Sequence, residues 1–183
     1  MMNVKQQIQF PLAPECTPAS HRFMVAQFVL RGLVVVSTVI AIAVMASSEE
    51  SISILGIEFV ARYNGSSAFK FLMGVDVVVG ALALFSMIGV YFAFRKPSNF
   101  VHLYYMFLHD LILMVLTISA CGAATAIGYV ALNGQQQTLW LKVCDRVGNF
   151  CLKNGISVAF SYAAFLCLFA LTIMSSYKLY NKS

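Results

Sequence analysis

Four ionisable side chains interrupt otherwise apolar stretches of this 183-residue chain: Arg31, Asp76, His109 and Asp110. A charge at the centre of a membrane helix costs ~2.5–3.5 kcal/mol on insertion scales unless it finds a partner. Such residues either carry ions and protons or lock helices together. Arg31 lies about nine residues into one apolar stretch and Asp110 about eleven into another. At ~1.5 Å of rise per residue, the two reach a common depth if both stretches start from the same surface. A single opposite pair makes no relay, so an Arg31–Asp110 lock is preferred to a conduction path. The alternative is a small transporter or channel that uses Arg31, Asp76, His109 and Asp110. Asp76 enters from the opposite surface, and Lys70, six residues earlier, falls on another helix face. A neutral acid, a hydroxyl partner and an outward cavity all stay open for it. His109 reads as a hydrogen-bonding residue between helices rather than as a catalyst.

Cys144 and Cys151 bracket the sequence DRVGNF in a polar segment. Joined, they would close a small ring worth roughly 2–3 kcal/mol in the chain-entropy model. A catalytic thiol needs a cationic surrounding, and Arg146 alone supplies little of one. A structural disulfide is therefore expected. The three histidines, His21, His102 and His109, do not make ligand pairs on facing helices. No Cys-x-x-Cys, glycine-rich phosphate loop, nucleophile elbow or zinc-protease motif occurs. The expectation is a protein without enzymatic activity, cofactor or metal.

The elements that must position these residues follow from composition. Apolar residues make up 60% of the chain and charged ones only 10%, against about a quarter charged in soluble domains. A soluble fold of this length has too little interior to hide that much apolar side chain. The net charge of +5 is scattered rather than tracted, which argues against nucleic acid and for a membrane surface. Four apolar segments, at about 23–46, 68–94, 100–132 and 155–177, each exceed the ~20 residues needed to cross a bilayer as a helix. The fold expected is all-α: an antiparallel bundle of four transmembrane helices in up-down-up-down order. A cytoplasmic, disordered tail (1–22), loops at 47–67 and 133–154, a hinge at 95–99 and a cytoplasmic tail at 178–183 complete it.

Orientation follows from the basic residues. Arg22, Arg95, Lys96, Lys178 and Lys182 gather on the side shared by the hinge and both tails, which places both termini in the cytoplasm. The opposite side then holds the sequon Asn64-Gly65-Ser66, a glycosylation acceptor at Asn64, and the cysteine pair, where disulfides persist. Trp140 sits just before that pair, suited to the outer interface. In the third stretch, Gly122 with Ala126 and Ala124 with Gly128 are small residues four apart that allow close helix approach. They serve packing within the bundle or contact with another copy. Cys16 is a candidate lipidation site.

The chain resembles the plant Casparian strip membrane domain protein-like (CASP-like) family, relatives of the animal MARVEL-domain proteins. The resemblance rests on Leu30-Arg31, Ala61-Arg62-Tyr63, Ala68-Phe69-Lys70-Phe71, Asp110 ahead of an Ala/Gly-rich stretch, and Trp140 before Cys144 and Gly148-Asn149-Phe150-Cys151. It implies a MARVEL-like bundle in the plasma membrane, with Arg31 and Asp110 matching the family's embedded charges. It also implies homo-oligomers, and hetero-oligomers with related CASP-like proteins, surrounded by membrane lipids. The founding members form a platform that excludes diffusion and recruits lignification machinery, so extracellular wall-modifying enzymes are expected partners. The first outer loop here lacks the founders' longer aromatic-rich signature, which points to a broader CASP-like member.

Overall fold

The computed structural model describes residues 18–54, 57–62, 66–95, 100–134, 142, 144–145 and 147–180. Cys16, Asn64, Trp140, Arg146, the hinge residues 96–99 and the tail residues 1–17 and 181–183 lie outside the described residues. Four long helices dominate: α1 (Pro18–Ala46), α2 (Ser67–Arg95), α3 (Phe100–Asn133) and α4 (Gly148–Tyr180). All four are long and apolar enough to cross a membrane. In lipid every backbone N–H and C=O must be satisfied internally, and a helix does this within one segment.

Between α1 and α2 the chain forms a two-stranded antiparallel hairpin, β1 (Glu49–Ile54) and β2 (Ile57–Arg62), in the register Glu49 opposite Arg62 and Ile54 opposite Ile57. The sequence reading placed only a loop here. Outside the bilayer, pairing strands satisfies backbone groups that helices satisfy within it. The fourth helix starts at Gly148, a full two turns ahead of the span expected from Gly155. The third runs for 34 residues, about 50 Å at the α-helical rise, well beyond a ~30 Å hydrocarbon core.

Helix ends carry specific stops. Gly134 adopts φ 69° and donates its N–H to Val130 O at 2.8 Å, an αL cap that closes α3 and suits glycine. The next carbonyl is also met, since Cys144 N donates to Ala131 O at 3.2 Å. At the end of α1, Ser47 and Ser48 donate their hydroxyls to Val44 O and Met45 O. Lys153 Nζ donates to Ser47 O at 3.0 Å, placing a cation at a helix C-terminus, where the dipole favours one.

The buried positions follow one spacing on every helix. They are Gln27, Arg31, Val34, Thr38, Ala41 and Met45 on α1, and Leu72, Asp76, Val79, Ala83 and Val90 on α2. Asp110, Leu113, Thr117, Ala120 and Ala124 continue it on α3, and Asn154, Ser157, Ser161, Ala164, Leu168, Leu171 and Ser175 on α4. Alternating steps of three and four give a 3.5-residue period, the seam of left-handed helix packing. Large apolar side chains such as Val29, Phe85, Val115 and Leu166 are exposed on the opposite faces. The solvent for those faces is lipid, so polarity concentrates inside.

One close approach fixes α1 against α2. A Cβ on Gly80 would stand 2.9 Å from Thr38 Oγ1. Thr38 is β-branched and its hydroxyl already donates to Val35 O, so it has little freedom to yield.

Candidate functional site

The seam brings Arg31 and Asp110 together. Arg31 projects from the middle of α1 and Asp110 from the first third of α3, and both are fully buried. Nη1 donates to Oδ1 at 3.0 Å and Nη2 to Oδ2 at 2.7 Å, the two-pronged geometry in which guanidinium and carboxylate match best. Arg31 Nη1 also donates to Ser86 Oγ on α2, and Ser86 Oγ in turn donates to Ala83 O at 2.8 Å. Three helices thus meet at one side chain. Arg31 Nε, also buried, has no hydrogen-bond partner among the described residues. His109, a third exposed, places Nδ1 3.4 Å from Oδ1 of Asp110, its neighbour on α3.

The fourth helix is tied to the first along its length. Gln27 Nε2 donates to Ser175 Oγ at 3.3 Å, and Lys178 Nζ stands 3.8 Å above the Phe23 ring. Farther along, Ser157 Oγ donates to Ala41 O at 2.8 Å, and Ser48 Oγ lies 3.2 Å from Asn154 Oδ1.

Asp76 finds a hydroxyl. Ser161 Oγ donates to Asp76 Oδ2 at 2.7 Å, while Oδ1 has no hydrogen-bond partner among the described residues. Sequence reasoning missed Ser86 as a partner of Arg31 and Ser161 as the partner of Asp76. The signal that finds Ser161 is the three-four spacing of Asn154, Ser157 and Ser161, followed by Thr172 and Ser175, which puts polar groups on one face of α4.

Asp76 precedes Ser86 by ten residues on α2, so the Asp76 site is about 15 Å along the bundle from the ion pair. Val34, Val79, Leu113 and Leu168 lie between the two, all nearly inaccessible and part of one apolar cluster. The hydroxyls of that layer, on Thr38 and Thr117, donate to carbonyls of their own helices. No group of three or more potential metal ligands occurs among the described residues.

Of the remaining sequence candidates, Cys144 and Cys151 stand at disulfide-bonding distance with Cα atoms 5.7 Å apart. Since Cys144 is also bonded to Ala131 O, this pair ties the end of α3 to the first turn of α4. The small residues divide: Ala124 is buried, Gly122 and Ala126 face outward, and Gly128 borders a cavity. A Cβ on Gly122 would meet nothing within 4 Å.

Four long apolar helices whose embedded charges, Arg31, Asp76 and Asp110, are all buried define a multi-pass membrane protein. The Casparian strip membrane protein domain matches residues 20–167. Similar proteins include CASP-like protein 1F2 of Vitis vinifera, 44% identical over 87% of this chain and 84% of its own length. CASP-like protein 1F3 of Populus trichocarpa is 39% identical over 93% of this chain and 88% of its own length. CASP-like protein 1F1 of Ricinus communis is 35% identical over 97% of each. The chain belongs to the CASP-like family. No solved structure matches it.

Proposed function

We propose that this protein is a non-enzymatic scaffold of the plasma membrane, which self-associates laterally to organise a membrane domain and recruits cell-wall-modifying partners. The observation that carries the reading is the closure of the ion pair. Arg31 and Asp110 neutralise each other's charge inside the bundle, with an apolar layer between them and Asp76, so the charges serve to fix helices rather than to pass ions. The outward surface is left for lipid, further copies and related CASP-like proteins. Gly122 and Ala126, exposed and small, suit backbone contact with another copy.

In this reading the bundle is antiparallel with both termini in the cytoplasm. The contacts of Gln27 with Ser175 and of Ser48 with Asn154 support opposed α1 and α4. The hairpin, the Cys144–Cys151 disulfide and a glycosylated Asn64 then face the cell wall, where partners would dock. Native mass spectrometry of the protein released from lipid tests this: dimers or larger species support the scaffold, and monomers alone at all concentrations argue against it.

A transporter is the second reading, favoured by the unpartnered Asp76 Oδ1 and the line of α4 hydroxyls leading from it to Ser48. Proteoliposomes loaded with pH- and ion-sensitive dyes decide between the two. A flux abolished by Asp76→Asn in a folded variant would establish transport.

A further inference from the structure

At the end of the bundle that carries the disulfide, α3 and α4 part to leave a cavity of about 280 Å³, roofed by Cys144–Cys151 and walled by Phe69. Its sides are small where the two helices face each other, with Ala124, Gly128 and Gly155 among the lining residues. A Cβ on Gly128 or Gly155 would meet nothing within 4 Å, so these glycines border open space. Its walls belong largely to two of the helices that are long and apolar enough to cross a membrane.

Of the polar side chains that line this mostly apolar space, Thr125 and Tyr129 are exposed and Asn154 is buried. Asn154, only 3% exposed, lines it, and its Nδ2 has no hydrogen-bond partner among the described residues. Reversing the amide does not remove the deficit. Ser48 has one hydroxyl proton: given to Asn154 Oδ1 it leaves Nδ2 alone, and given to Met45 O it lets the reversed amide donate Nδ2 to Ser48 Oγ and leaves the amide oxygen alone. In either orientation one polar atom of Asn154 is left over, at a cost of about 1–3 kcal/mol for a buried group.

We propose that this cavity is a sterol site, with the sterol hydroxyl on Asn154 and the ring system against the Ala124–Gly128 and Gly155 surfaces. A hydroxyl both donates and accepts, so it completes Asn154 whichever way the amide lies. An ester carbonyl would serve only one orientation. A flat, rigid ring loses little conformational freedom on binding and fits a wall without Cβ atoms. The volume is slightly below the ~300–1,000 Å³ of small-molecule pockets, so part of the sterol stays in the surrounding lipid.

The test uses the full chain in nanodiscs containing a diazirine-bearing sterol, with cross-linked peptides mapped by mass spectrometry. Labelling should be saturable, confined to the segments around 124–132 and 150–158, and displaced by unlabelled sterol but not by excess phosphatidylcholine. Gly128→Leu, which fills the cavity, should weaken labelling about tenfold while leaving the melting temperature within a few degrees. Asn154→Leu should weaken it in the same direction, and Gly122→Leu, on the outward face, should not. Uniform or unsaturable labelling, equal displacement by phosphatidylcholine, or replacement of the sterol by a second copy of the chain would each overturn the assignment.

Discussion

Arg31 and Asp110 face each other with two nitrogens on two oxygens, at 3.0 and 2.7 Å, and neither exposes more than 1% of its side chain. Removing one partner strands the other's charge. Arg31→Ala or Asp110→Ala should therefore cost about 3–5 kcal/mol, whereas the double change Arg31→Leu with Asp110→Leu should recover most of it. Arg31→Lys keeps the charge but loses the fork and should fall between. Unfolding in mixed micelles, arranged as a double-mutant cycle, gives the coupling energy directly; independent, additive losses would contradict a paired lock.

Asp76 should behave in the opposite way. Its carboxylate has Ser161 on one oxygen and no hydrogen-bond partner on the other among the described residues. Asp76→Asn keeps an acceptor for Ser161 and removes a charge that is expensive inside a membrane. The variant should melt at or above the wild-type temperature, while Ser161→Ala should lower stability by about 1 kcal/mol. A large loss in Asp76→Asn would mean that the charge itself is required.

Much of this was legible in the sequence, and the reason differs by residue. The depth of Arg31 and Asp110 follows from counting along two helices that start at one surface. The four spans follow from length and apolarity. The seam is not visible that way, because Val34 inside and Val36 outside are chemically the same. With lipid as solvent, hydrophobicity no longer distinguishes the two faces of a helix. Only the sparse polar residues mark the inner face, and on α4 they do so in three-four steps. The partners Ser86 and Ser161 stayed hidden because serine is common on both faces. The hairpin Glu49–Arg62 was missed because Gly56 splits a short polar-apolar alternation.

Where α1 and α2 touch, volume decides. Gly80→Leu drives side-chain atoms into Thr38 and should cost about 1–3 kcal/mol as overpacking. The same change at Gly89, where a Cβ meets nothing within 4 Å, should be close to neutral. Paired thermal melts check the contrast, and equal effects at the two sites would contradict a specific close approach.

The disulfide ties the end of α3 to the start of α4. Cys151→Ser, or reductant on the intact protein, should lower stability by roughly 2–3 kcal/mol by the loop-closure argument, without unfolding the bundle, whose seam contacts persist. Circular dichroism melts with and without reductant measure this. Insensitivity to reductant would show that the loop is held by other contacts.

The scaffold reading is tested most directly by single-molecule tracking and bleaching-step counting of a fluorescent fusion at native expression in its own membrane. Slow, multi-step assemblies are expected, dispersing when Gly122→Leu and Ala126→Leu occupy the outward small-residue face while the fold is retained. Single-step particles that diffuse freely as monomers would contradict lateral self-association, and with it the scaffold.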